Sequence, residues 1–122
     1  METISAINES GSTRWAVEAL GALAHETRLA VFRLLVRAGP NGMVAGEIAD
    51  HAGVAASTMS HHLATLERAG LAASQREGRL IRYRADFAAM RRLLAFLVQD
   101  CCQGAPELCV DLTGALVCAT AV

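Results

Sequence analysis

The chain has 122 residues, 53% hydrophobic and 19% charged, which suits one folded core and excludes a disordered polymer. Aromatic residues make up only 4%, so Ala, Leu and Val must build the interior, a composition that favours helices. No apolar run is long enough for a bilayer, and Met1 to Ser12 lack the basic start and hydrophobic centre of a secretory leader, which predicts a cytoplasmic protein without a membrane partner.

The net charge of -1 hides an uneven distribution. Every basic residue is an arginine, and Arg68, Arg76, Arg79, Arg82, Arg84, Arg91 and Arg92 face only Glu77 and Asp86 within the same segment. Such a basic stripe attracts phosphates and releases their counterions. It fits equally a solvated face whose arginine stems cover the core.

In chain order, Trp15, Leu20 and Leu23 recur at helical spacing. A second helix over Glu26 to Ala38 places Leu29, Phe32, Leu35 and Val36 on one face. Gly39-Pro40-Asn41-Gly42 stops it. A short helix over Val44 to Ala52 turns Val44, Ile48 and Ala52 inward, and Gly53 ends it. The next helix, Ala56 to Ala69, buries Met59, Leu63 and Leu66 and offers Ser57, Thr58, His61 and Thr65 to solvent. Two helices joined by a short Gly-containing turn, the second with small polar residues near its start, form the pattern of a helix-turn-helix whose second helix enters a major groove.

Beyond Gly70, Leu71 to Arg76 and Leu80 to Ala85 read as strands joined around Glu77-Gly78-Arg79, a wing with Arg76 and Arg79 at its tip within reach of phosphates or a minor groove. A last helix from Asp86 to about Cys102 carries Met90, Leu93, Leu94, Leu97 and Val98 as an apolar stripe. So much apolar surface on the terminal helices predicts a homodimer. The expected fold is mainly α with a β-hairpin wing, a winged helix-turn-helix. The expected division is a flexible start (1–13), the DNA-binding and dimerisation domain (14–102) and a cysteine-containing tail (103–122).

Cys101, Cys102 and Cys109 fall within nine residues at the end of that last helix. In a reducing compartment such a cluster is a ligand set or a redox sensor before it is a structural disulfide. Neighbouring helical residues point about 100° apart, so Cys101 and Cys102 converge only where the helix frays. Gly104 and Pro106 provide for that and let Cys109 turn back. Three thiolates suit a trivalent, thiophilic ion such as As(III) or Sb(III) better than a hard cation. Zinc, cadmium or lead are rivals, with Cys118 available as a fourth ligand for zinc, although no Cys-x-x-Cys pair exists. Cys118, isolated in an apolar tail, reads first as a small hydrophobe.

Leu23-Ala24-His25-Glu26-Thr27-Arg28-Leu29, then Ser57 through Leu71, then Arg76-Glu77-Gly78-Arg79 and Tyr83 resemble the ArsR/SmtB metal-responsive repressors in the right order over about residues 14 to 102. The resemblance implies a homodimeric repressor of transcription, its dimer built from the first and last helices, that binds double-stranded operator DNA of inverted-repeat type, with Ser57, Thr58, Ser60, His61 and His62 at or near the DNA. Ser60 also fits a residue that satisfies a backbone group or a phosphate, and His62 lies near the buried side, where packing competes with a DNA contact. Ala55 stands where the family often has a capping Ser or Thr, which leaves Ser57 as the alternative cap.

Inducer sites vary within the family. The Cys-x-Cys type of third-helix site is absent, since Glu47-Ile48-Ala49-Asp50 stands there. The Asp/His zinc site of the last helix is missing as well, since no histidine follows His62. Cys101, Cys102 and Cys109 resemble the C-terminal cluster of an arsenite-responsive subgroup, which implies release from the operator of an arsenic-resistance-type operon when As(III) or Sb(III) binds. The alternative is a thiol redox switch built from the same cysteines, against which Asp100 and Glu107 count by raising thiol pKa values. An enzyme is not expected. The histidines cluster near the expected DNA surface, no phosphate-binding glycine loop occurs, and no histidine neighbours the cysteines in sequence.

Overall fold

The computed structural model describes residues 11–98. In chain order the elements are α1 (Gly11–Leu23), α2 (Glu26–Ala38), a 3₁₀ turn (Gly39–Asn41), β1 (Met43–Val44), α3 (Ala45–Ala52), α4 (Ala56–Arg68), β2 (Ala72–Glu77), β3 (Leu80–Ala85) and α5 (Phe87–Val98). The three strands form an antiparallel sheet in the order β1-β3-β2, and the fold is a winged helix-turn-helix. No helix among the described residues is long and apolar enough to cross a membrane.

A scarcity of aromatics is solved by close helix approach. Ala16, Ala19 and Ala22 line the buried face of α1, where their small side chains let neighbouring elements approach. The larger residues go elsewhere: Leu20, expected on the core stripe, is 42% exposed, and Val17 is 63% exposed. In α2 the buried face is Val31, Phe32 and Leu35, whereas Leu29, also expected inside, is 46% exposed. Leu29 lies in the first turn of α2, ahead of the buried Val31, Phe32 and Leu35, so periodicity marked a position that packing within the chain does not close over.

The turn after α2 follows from backbone chemistry. Gly39 at φ 77° receives the chain as its N–H bonds to the carbonyls of Leu35 and Val36, and Pro40 lies near the start of the 3₁₀ turn, where its fixed φ fits and no N–H is needed. The two-residue strand β1 that follows was not expected. It pairs Met43 with Tyr83 and Val44 with Arg82, and α3 therefore starts at Ala45 rather than Val44. In α3, Ile48 and Ala49 are buried; Ala52, expected inward, is exposed.

Helix α4 buries Met59, Leu63 and Leu66 as its spacing requires. It ends at its C-cap, Ala69, followed by Gly70 at φ 82°, with Leu71 N–H donating to the Leu66 carbonyl at 3.0 Å. Leu71 is fully buried and anchors both ends of the hairpin, since its carbonyl accepts from Asp86 N–H at 2.9 Å. Asp86 Oδ1 in turn accepts from Ala89 N–H at 2.9 Å and caps α5. On α5 only Leu93 of the predicted stripe is buried, and Leu97 is 54% exposed.

Candidate nucleic-acid interface

The site is built on α3, the turn and α4. Gly53 closes α3 in the left-handed conformation at φ 66°, its N–H bonding to the Ala49 and Asp50 carbonyls. That sharp stop lets Val54 and Ala55 redirect the chain into α4. Ala55 is the N-cap, and no side chain caps the helix. Ser57 therefore lies inside the first turn and does not serve as the alternative cap. The leading N–H groups of α4 are left for an outside acceptor or water.

Once Met59, Leu63 and Leu66 are buried, helical geometry decides what faces outward. Ser57, Thr58, Ser60 and His61 are all exposed. Thr65, expected beside them, is half-buried, its hydroxyl donating to the His61 carbonyl at 3.1 Å and accepting from Arg68 at 3.3 Å. It is occupied by its own helix.

His62 occupies a different position from its four neighbours. It is half-buried, its ring centroid 4.6 Å from that of His25, and its Nδ1 lies 3.5 Å from Arg28 Nη1. Arg28 is itself anchored, Nε donating to the Ala22 carbonyl at 2.6 Å. His25 caps α2, Nδ1 accepting from Thr27 N–H at 3.1 Å. His62 thus joins α4 to the start of α2. Burial first, then His25, Arg28 and His61, holds its pKa below the ordinary histidine value.

Sequence reasoning assigned no role to His25 or Arg28 in this junction. The signal for the first was present, because a side chain able to accept a hydrogen bond just before Glu26-Thr27 is an N-cap candidate. His51, exposed at the end of α3, shares an open hollow with His25, Glu26 and Thr27, and no sequence pattern pointed to that grouping.

The wing stands beyond α4. Its strands pair from Ala72 with Ala85 to Glu77 with Leu80, and Gly78 at φ 64° makes the turn. Ser74 Oγ donates to Glu67 Oε2 at 2.7 Å and ties β2 to α4. Tyr83 on the same face is buried, and burial, with Glu67 second, raises its phenol pKa so that it stays neutral. Arg76 and Arg79 are exposed at the tip, with Arg76 Nε donating to the Gly78 carbonyl at 3.3 Å.

The basic stripe does not persist as one face. Arg82 is paired with Glu77 at 3.0 Å and donates to the Asn41 carbonyl at 3.2 Å. Arg84 donates to Gln75 at 3.5 Å, and Arg92 lies 4.3 Å from the centroid of the Trp15 ring. Arg76 and Arg79 remain as the wing's outward cations. No group of three or more His, Cys, Asp or Glu able to hold a metal occurs among the described residues. Cys101, Cys102, Cys109 and Cys118 lie outside the described residues.

Residues 23–75 match a family described as a helix-turn-helix domain. The HTH-type transcriptional regulator YgaV of Escherichia coli (strain K12) is 34% identical over 91 residues, which cover 75% of this chain and 90% of that protein. An ArsR-like transcriptional regulator from Rhodococcus sp. RHA1 superposes with a TM-score of 0.68 at 26% identity, over 87% of this chain and 97% of that one. A homodimeric winged helix-turn-helix DNA-binding domain from Mycobacterium bovis, a possible ArsR-family regulator, gives a TM-score of 0.58 at 28% identity, over 78% and 84% of the two chains.

Proposed function

Because this chain belongs to the ArsR-like helix-turn-helix transcriptional regulators, we propose that it acts as a homodimeric repressor that grips an inverted-repeat operator and releases it when a thiophilic ion binds. The observation that carries the DNA half is the joint exposure of Ser57, Thr58, Ser60 and His61 on α4 beside a wing presenting Arg76 and Arg79. Small polar side chains on the helix read base edges or sugars, and arginines on the wing meet phosphates. Apolar side chains left exposed on both terminal helices, Val17, Leu20 and Leu97, support a dimer through α1 and α5.

The ion half rests on donor chemistry in the sequence. Cys101, Cys102 and Cys109 offer three soft sulfur donors, which would hold As(III) or Sb(III) in an all-thiolate set. They follow directly on α5, so an event there acts on a terminal helix of the proposed dimer. By linkage, an ion that weakens DNA affinity binds the DNA-bound protein more weakly by the same factor.

The test titrates arsenite into the reduced wild-type protein on a duplex enriched from a randomised pool, beside Cys101→Ser, Cys102→Ser and Cys109→Ser. Release of the wild type alone supports a three-thiol sensor. Release by oxidant and recovery by reductant, with arsenite inert, replaces the ion by a thiol redox switch. Equal arsenite affinity for free and DNA-bound protein rejects the coupled mechanism.

A further inference from the structure

Side-chain hydrogen bonds tie α4 to other elements at its end, where Ser74 donates to Glu67 and Trp15 to the Ala69 carbonyl, and again at His62, the residue after the exposed His61. Arginine carries only donors, so where Arg28 Nη1 lies 3.5 Å from His62 Nδ1 the imidazole nitrogen is the acceptor and the neutral ring holds its proton on Nε2. His25 is engaged in the same way, its Nδ1 accepting from Thr27 N–H at 3.1 Å. Two rings with centroids 4.6 Å apart thus each turn the lone pair of Nδ1 to a donor. The joint fits neutral imidazoles.

A proton on Nδ1 of His62 removes the acceptor and points an N–H at the Arg28 guanidinium. Arg28 is not free to swing aside, because its Nε is bonded to the Ala22 carbonyl at 2.6 Å. The groups that bear on His62 come from each side of the joint: Arg28 and His25 from the start of α2, and His61 from α4 itself, while α1 offers the Ala22 carbonyl that Arg28 already occupies. All three side chains are basic, and with burial, the largest cause, they lower the pKa of His62. An imidazolium in this position meets like charge and has lost its hydrogen bond, so it leaves the joint.

We infer that His62 is a positioning residue for DNA recognition: as a neutral imidazole it seats α4 against the start of α2, and its protonation unseats the helix, so that the protein loses discrimination between its preferred duplex and random DNA. This inference rests on the DNA-binding reading above and is independent of the cysteines. By linkage, specific binding expels the proton from His62 by the same factor. Discrimination is present above the ordinary histidine pKa, ~6.5, and falls as pH drops below it. A cation gained at an exposed residue such as His61 strengthens contact with the phosphates of any duplex alike. The ratio of the two affinities therefore isolates the joint.

The experiment measures that ratio for the reduced full chain, on a duplex enriched by the wild type from a randomised pool and on a scrambled duplex, between about pH 7.5 and about pH 5 at constant ionic strength. Circular dichroism at each pH checks the fold. The wild-type ratio is expected to fall about fivefold across this window. His62→Gln offers Arg28 an acceptor that takes no proton in this range, and keeps a high ratio at every pH. His62→Phe fills the space without an acceptor and has a low ratio at every pH. Calorimetry in two buffers of different ionisation enthalpy needs no variant: the wild type releases more protons on binding the enriched duplex than on binding the scrambled one.

A wild-type ratio that does not change with pH overturns the inference. So does a ratio in His62→Gln that falls in step with the wild type, which would assign the effect to another group, or equal proton release on the two duplexes. Failure of the wild type to enrich any duplex would overturn the DNA-binding reading itself, a result distinct from enrichment followed by a ratio that ignores pH.

Discussion

Trp15 Nε1 donates a hydrogen bond of 2.9 Å to the carbonyl of Ala69, the residue that caps the C-terminal end of α4. Arg92 from α5 lies over the same indole at 4.3 Å. A side chain of α1 thereby holds the end of α4 and is itself covered by Arg92 of α5. Trp15→Phe keeps most of the ring and removes the donor. It is expected to lower unfolding free energy by about 1 kcal/mol, measured by urea denaturation followed by circular dichroism. Trp15→Ala also removes the packing and should cost about 3 kcal/mol. Equal stability of Trp15→Phe and wild type would mean that water replaces the indole at the Ala69 carbonyl without loss.

The junction of His62 with His25 and Arg28 gives stability a pH dependence whose sign is set by the lowered pKa. The folded state disfavours the charged imidazole, so the unfolded chain binds the proton more readily and stability rises with pH in this window. The contribution is present above the ordinary histidine pKa, ~6.5, and falls as pH drops below it, levelling off once folded His62 is also protonated. Thermal melts between about pH 7.5 and pH 5.5 should show a larger fall for wild type than for His62→Gln. Parallel curves would remove His62 as a source of the effect.

The two wing arginines nearest the turn on β3 and in the loop differ in what already holds them. Arg82 is engaged by Glu77 at 3.0 Å, whereas Arg79 is exposed at the turn. Arg79→Ala is expected to weaken DNA binding and reduce the slope of log affinity against log salt by about 1. Arg82→Ala should alter that slope much less. The reverse order would show that DNA displaces Glu77 from Arg82 and would move the phosphate contact there.

Two glycines with nearly the same φ predict different costs. Gly42 has φ 63° and Gly53 φ 66°, yet a Cβ at Gly42 would be driven into the carbonyl oxygen of Tyr83, while a Cβ at Gly53 meets nothing within 4 Å. Gly53→Ala should lose about 1 kcal/mol from left-handed backbone strain alone. Gly42→Ala should lose more than about 2 kcal/mol, because β1 must also move away from β3. Denaturant melts of the two variants measure the difference.

Much of this architecture is legible in local chemistry. The spacing of Met59, Leu63 and Leu66 determined which face of α4 is buried, and the same arithmetic turned Ser57, Thr58 and His61 outward but not Thr65, which it also placed there and which is half-buried. The glycines at 39, 53, 70 and 78 each sit at positive φ, where turns need them. What local pattern could not decide was closure. Leu20 and Leu29 have helical spacing but no element above them, and Ala16, Ala19 and Ala22 take the interior of α1 because close approach of helices favours the small residue over the apolar one.

The remaining decisions required residues far apart in sequence. Strand β1 exists because Met43 and Val44 meet Tyr83 and Arg82, a pairing that two isolated residues do not announce. His62 became a joint rather than an open contact because α2 brings His25 and Arg28 to it, and the arginine stripe broke up because Glu77, Gln75 and Trp15 each engaged one of its members. The sequence by itself determined the order of the helices and the wing hairpin, the buried stripe of α4 and the arginines at the wing tip, all set by periodicity and turn chemistry within a few residues. Only the tertiary structure decided which apolar side chains are enclosed and which arginines stay outward, because burial and pairing depend on neighbours that the chain meets only after it has folded.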